Sequence, residues 1–247
     1  MLASGGIHFP VGEGLGCYGL GSIANTFLPG RAGDALRIEL FSRRLQEQGG
    51  RWLAGGVSVC VALAQSVVFG CVLGVGVLLD ALPMWVIAPS VALPLATWGI
   101  GRLVLHGHSD EQVARLAIVA GLSPPAWSRL LGWVTAAALA RLMLVVAVLD
   151  ALAVRETPTV ALVALCGVAI GNALPFAPGG AGVAAAAMSV ALGHAGVPAS
   201  SALAVAVSFH AFETAAALLF GASGWLLLRL SAREASELDA LQPAENY

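Results

Sequence analysis

The chain has 247 residues, of which 58% are hydrophobic and 11% charged, with a formal net charge of −2 and a mean hydropathy of +0.87. A soluble domain carries about 25% charged residues, so this composition excludes a water-soluble globular protein and leaves an integral membrane protein. All twelve basic residues are Arg, which excludes a Schiff-base lysine and the lysine of a phosphate-binding loop; nothing in the charge pattern points to nucleic acid.

The opening residues, MLASGGIHFP, carry neither the basic n-region nor the apolar h-region of a signal peptide. Gly12 to Leu28 is apolar and Gly-rich, but shorter than the roughly 20 residues of a full helical span. Within it, Gly14, Gly16 and Gly19 match GxGxxG. That fingerprint signals a dinucleotide only between a strand and a helix, and no such context exists here. Phe27 to Ala35, FLPGRAGDA, then interrupts the apolar run. Pro breaks a helix and Gly permits the turn that follows. From Asp34 to Gln48 the apolar residues Leu36, Leu40, Phe41 and Leu45 recur at helical spacing, with Arg37, Arg43 and Arg44 elsewhere. This reads as a helix at the cytoplasmic surface or, alternatively, a helix extension with a solvated basic face.

Leu53 to Leu79 is long enough to span, and Trp85 to Leu105 forms the next span, with Pro89 and Pro94 as kinks. A polar connector follows. Its centre, Asp110 to Gly121, reads as a surface helix between an N-capping Ser109 and Pro124-Pro125. His106 and His108 are read as solvated loop residues, not metal ligands. Leu130 to Leu149 spans again and carries Arg141 mid-span. Thr159 to Pro175 is apolar and leads into Phe176 to Ala184, FAPGGAGVA. Gly182 to Leu192 is a short Ala-rich helix, Ser200 to Leu230 the last span, and 231–247 a polar tail. Cys17, Cys60, Cys71 and Cys166 lie in apolar stretches and read as packing residues.

The two breaks share Phe, Pro, Gly, Ala, Gly and Ala at equivalent positions, and each follows an Asn (Asn25, Asn172). Interrupted apolar segments at matching places in two halves point to a transporter's substrate site. The expected fold is an all-α polytopic transmembrane bundle, a single domain over 1–230. Its half-repeats are about 12–105 and 130–230, related as an inverted repeat with two re-entrant breaks. Sidedness follows from the arginines. Arg37, Arg43, Arg44, Arg51, Arg102, Arg115, Arg129, Arg229 and Arg233 fall on the cytoplasmic side, with the C-terminus. Arg155 falls outside, and Arg31 and Arg141 at membrane depth. Three spans between the breaks make them enter from opposite faces.

Such breaks present backbone N–H groups at helix N-termini, which bind anions. The candidate substrate-binding residues are therefore Asn25, Pro29, Gly30, Arg31, Gly33, Asp34 and Arg37 at the first break. At the second they are Asn172, Pro175, Pro178, Gly179, Gly180 and Gly182. Arg31 and Arg141 are costly in hydrocarbon, and Arg suits a bidentate grip on phosphate; the alternative is structural ion pairs with Asp34 or Glu213. His210 and Glu213, three apart on one helix face, read either as a proton relay or as a buried hydrogen-bonded pair. No hydrolase motif, metal-ligand spacing or cofactor fingerprint is present, so no enzyme activity and no cofactor are expected.

Asn25-x3-Pro29-Gly30-Arg31-Ala32-Gly33-Asp34-x2-Arg37 and Asn172-x2-Pro175-x2-Pro178-Gly179-Gly180-x-Gly182, with the span order, resemble the lysylphosphatidylglycerol synthase transmembrane region, a family of flippase-like membrane proteins. The resemblance covers nearly the whole chain. It implies movement of an anionic lipid head group, aminoacylated or polyprenyl-linked, across a bacterial plasma membrane. It also implies a partner that is an envelope lipid synthase or glycosyltransferase, and leaves room for a homo-oligomer. The alternative is a non-transporting scaffold for such an enzyme. The chain departs from the family in three places. Val183-Ala184-Ala185-Ala186 stands where Glu usually follows the Gly-rich motif. His210 stands where an Arg is usual in the last span. About two further spans usually precede the first break.

Overall fold

The computed structural model describes residues 10–28, 32–45, 50–78, 80, 84, 95, 123–154, 158–173 and 181–241. The expected span at 85–105 and the surface helix at 110–121 lie outside the described residues. Those residues form seven α-helices and no strands: α1 (Val11–Phe27), α2 (Ala32–Arg44), α3 (Gly50–Leu78), α4 (Pro124–Ala151), α5 (Pro158–Ala173), α6 (Ala181–His194) and α7 (Ala199–Leu241). Three of these are long and apolar enough to cross a membrane, at Leu53–Leu78, Pro124–Ala151 and Ala199–Leu230.

Two expected boundaries move. Pro124-Pro125 begins α4 at its first two positions, where a missing N–H leaves no hydrogen bond unmade. The polar segment after Ser231 continues α7 to Leu241; its Ala, Arg, Glu and Leu residues are good helix formers, and a helix already nucleated by the span extends through them.

The short helices pair into two hairpins. α1 and α2 run antiparallel, with Gly21 against Gly33 and Arg37 and Glu13 ion-paired to Arg44 at 2.7 Å. α5 and α6 also run antiparallel, with Gly171 against Ala184 and Gly167 against Met188. Each hairpin packs on a different half of α7. The first uses Gly16 against Gly224 and Leu228, and Gly19 against Phe220 and Gly221. The second shares a core with the start of α7. It contains Val145, Val148 and Leu149 of α4, Val160, Ala164 and Val168 of α5, Met188 and Leu192 of α6, and Ala202, Val205 and Phe209 of α7. A tight turn joins α6 to α7, with Gly196 at φ +85° and Val197 N–H donating to the Leu192 carbonyl at 3.0 Å.

These contacts fix which ends lie together. α2 ends, and α3 begins, in a cluster of Leu45, Leu53, Cys60, Phe41, Val57 and Trp127, so α4 begins there as well. α1 begins and α7 finishes at that same end, through Glu13–Arg44 and Gly16–Leu228. Arg43, Arg44, Arg129 and Arg229 therefore share one end of the bundle. The second hairpin opens at the other end, where α4 finishes and α7 begins. The full inverted repeat also needs the segments between Leu78 and Ser123, most of which lie outside the described residues.

Candidate functional site

Helix geometry brings both hairpins to one level. At about 1.5 Å per residue, the step from Gly19 to Phe27 covers about 12 Å, and the same distance back along α7 from Gly221 reaches Glu213. The step from Leu192 to Ala181 covers about 16 Å, and the same distance along α7 from Ala202 again reaches Glu213. The buried stripe of α7 runs through Ala202, Ala206 and Phe209 and resumes at Gly221 and Gly224. Glu213 falls on that stripe, at the spacing of successive helical turns. By this count Phe27, Ala181 and Glu213 fall at a similar height along the bundle, and Glu213 lies where the apolar face of the last span gives way to a carboxylate.

Glu213 is not alone. Arg141, halfway along α4, places Nε 3.1 Å from Glu213 Oε1. His210 Nδ1 lies 3.6 Å from Glu213 Oε2. The side chains are 58%, 22% and 12% exposed for Arg141, Glu213 and His210. His210 Nε2 is buried and has no hydrogen-bond partner among the described residues. A charge at the centre of a span costs roughly 2.5–3.5 kcal/mol on insertion scales, and the ion pair offsets part of that cost. The structural ion pair considered for Arg141 is thus present, on Glu213.

The first hairpin carries a second polar cluster near its closed end. Asn25 Nδ2 donates to Asp34 Oδ1 at 2.9 Å, and the Asp34 N–H donates to Asn25 Oδ1 at 3.1 Å. The Asn side chain therefore closes a ring with a residue across the break. Arg37 Nη1 donates to the same Asp34 oxygen at 3.2 Å, and Nη2 to Ser22 Oγ at 3.4 Å. The guanidinium lies 3.9 Å over the Tyr18 ring, and Tyr18 meets Phe220 of α7 edge-on at 6.0 Å. Arg37 is 19% exposed, so it points inward. Gly33 must be Gly: a Cβ there would overlap the Gly21 carbonyl and the Asn25 backbone N.

The structure thus brings Asn25, Gly33, Asp34 and Arg37 together, and separately Arg141, His210 and Glu213. Gly182 is exposed near the start of α6 with nothing within 4 Å of an added Cβ. Pro29, Gly30, Arg31, Pro175, Pro178, Gly179 and Gly180 lie outside the described residues, as does the side chain of Asn172. Tyr18 and Ser22 were not singled out from the sequence. With Asn25 they form an i, i+4, i+7 polar stripe on an otherwise apolar helix, a signal that could have found them. Gly16 and Gly19, two of the three GxGxxG glycines, form a packing seam against α7. Small residues at such a seam let helix backbones approach closely, where lipid gives no hydrophobic drive to association.

A family model described as the lysylphosphatidylglycerol synthase TM region matches residues 1–221. No curated protein matches the chain, and no solved structure does.

Proposed function

Because the chain belongs to the lysylphosphatidylglycerol synthase TM-region family, whose members are membrane proteins of lipid metabolism or transport, we propose that it moves the head group of an anionic lipid across the plasma membrane. It does so without catalytic turnover. The observation that carries this reading is the Arg141–Glu213–His210 cluster within two of the spanning helices. A polar cluster at that depth lowers the barrier for a charged head group, which bare hydrocarbon opposes. Arg141 supplies a positive charge suited to phosphate. The C-terminus and the arginine-rich end face the cytoplasm, by the excess of arginine there.

Reconstitution into vesicles with a fluorescent anionic phospholipid tests the reading. Transbilayer exchange should exceed that of empty vesicles by at least about tenfold, equivalent to about 1.4 kcal/mol of barrier. Arg31→Ala and Arg141→Ala should each lower it. Exchange equal to empty vesicles, or indifferent to both substitutions, would end the proposal.

A second reading has its own support. Asn25, Asp34 and Arg37 are bonded to one another, and Val183 to Ala186 offers no carboxylate. Both fit a scaffold for an envelope lipid synthase or glycosyltransferase. Co-purification with such an enzyme, together with vesicle exchange at the background rate, would select it.

A further inference from the structure

We infer that binding of an anionic lipid at Arg141 is coupled to uptake of one proton, with Glu213 as the exchangeable counter-ion and His210 as the proton acceptor. The inference rests on the lipid-handling reading and specifies what else must move with the lipid.

Arg141 shares its helical face with Ala137, Val145 and Val148, opposite the exposed Leu139, Met143 and Val146, yet its side chain is 58% exposed. Its Nε is committed to Glu213, and among the described residues no partner occupies its Nη atoms. Among the described residues the outer edge of the guanidinium is thus open to an arriving phosphate. A bidentate phosphate is a better match for that edge than one carboxylate oxygen on Nε.

Charge balance dictates the rest. Among the described residues the cluster pairs one guanidinium, Arg141, with one carboxylate, Glu213, beside the His210 imidazole. When a lipid phosphate monoanion takes Arg141, Glu213 loses its counter-ion in a medium that penalises uncompensated charge. A proton from solvent restores neutrality by bonding to the vacant lone pair of His210 Nε2. The resulting imidazolium holds Glu213 through Nδ1, already 3.6 Å away. The N–H bond forms as an O–H bond of hydronium breaks and releases water; no other covalent bond changes.

No other ionisable group competes among the described residues. On the elements packed against α7, α1 carries Glu13, Cys17 and Tyr18. Glu13 is paired with Arg44 at the far end, and Tyr18 lies under Arg37. α4 carries Arg129 and Asp150 near its two ends, and α6 carries His194 at its last turn. Among the described residues, Arg141 and His210 are the ionisable groups that face Glu213.

The test is equilibrium binding of spin-labelled phosphatidylglycerol to the full chain in phosphatidylcholine nanodiscs between pH 5 and 8. Spin-labelled phosphatidylcholine and added inorganic phosphate serve as the other arms. Affinity of the wild type for phosphatidylglycerol should rise towards tenfold per unit fall in pH where His210 titrates, the slope of one linked proton. Phosphatidylcholine should show no such slope, and inorganic phosphate should not displace the lipid. Displacement by inorganic phosphate would make the site a free-anion site and overturn the lipid assignment. Glu213→Gln should bind phosphatidylglycerol more tightly with a flat pH profile, and His210→Gln should flatten the profile alone. Both variants are first checked for wild-type helicity and a single chromatographic species. A Glu213→Gln or His210→Gln profile as steep as the wild type's overturns the coupling. Flat wild-type binding beside robust vesicle exchange overturns the coupling and leaves the transport reading intact.

Discussion

The two hairpins have nearly equal arms, 17 and 13 residues in the first, 16 and 14 in the second, yet opposite chemistry closes them. The first is laced by Glu13–Arg44, by the Asn25–Asp34–Arg37 cluster and by Arg37 over Tyr18. The arms of the second carry no Asp, Glu or Arg. It closes through Gly167 and Gly171 against Met188 and Ala184, with Val160 to Val168 all buried. In a bilayer, apolar burial adds little, because lipid is as apolar as the protein core. The second hairpin therefore depends on close packing and the first on directional polar bonds. Water or ions can compete for polar bonds, whereas a dry seam offers them nothing to bind. The first hairpin is accordingly the arm expected to loosen.

The largest expected effect separates the two formally equivalent glycines. Gly33→Val forces a side chain into the Gly21 carbonyl and should destabilise by about 3 kcal/mol or more. Gly182→Val, in open space, should stay within about 0.5 kcal/mol. Thermal unfolding of the detergent-solubilised protein reads both, and equal shifts would undo the contrast. Next, Met188→Ala removes a fully buried side chain from the dry hairpin and should cost about 3 kcal/mol, independent of salt. Arg37→Ala strips the wet hairpin of one guanidinium that serves Asp34, Ser22 and Tyr18, and should cost about 2 kcal/mol. Its cost should shrink in high salt, measured by the same melts. A salt-independent loss would show that Arg37 acts by packing alone. Glu13→Gln, at a partly exposed pair, should cost about 0.5 kcal/mol or less.

The legible part of this fold was its punctuation. Pro and Gly interrupt apolar runs, and the helices flanking Phe27–Ala35 and Phe176–Ala184 start and stop close to where those residues demand. The pairing of Arg141 with Glu213 was legible only as one option, because it depends on the rotation of α4 against α7, and rotation leaves no trace in one-dimensional spacing. The same holds for Arg37. Amphipathic periodicity puts it off the apolar face of α2, but in a hairpin that direction points at Tyr18, not at solvent. The GxGxxG match had no nucleotide context, and its use as a helix seam became visible only once Gly221 and Gly224 were seen opposite it. The continuation of α7 past Leu230 was obscured because polar composition marks the edge of the membrane and not the end of a helix.

The seam between α1 and the far half of α7 has a consequence for biogenesis. A ribosome emits α1 long before Gly221, Gly224 and Leu228, so the α1–α2 hairpin reaches the insertion machinery well ahead of the neighbour it packs on. Until the final span arrives, a chaperone or the translocon itself must shield that hairpin's glycine face, and a message truncated ahead of codon 221 would deliver a product that quality control can recognise by this vacancy.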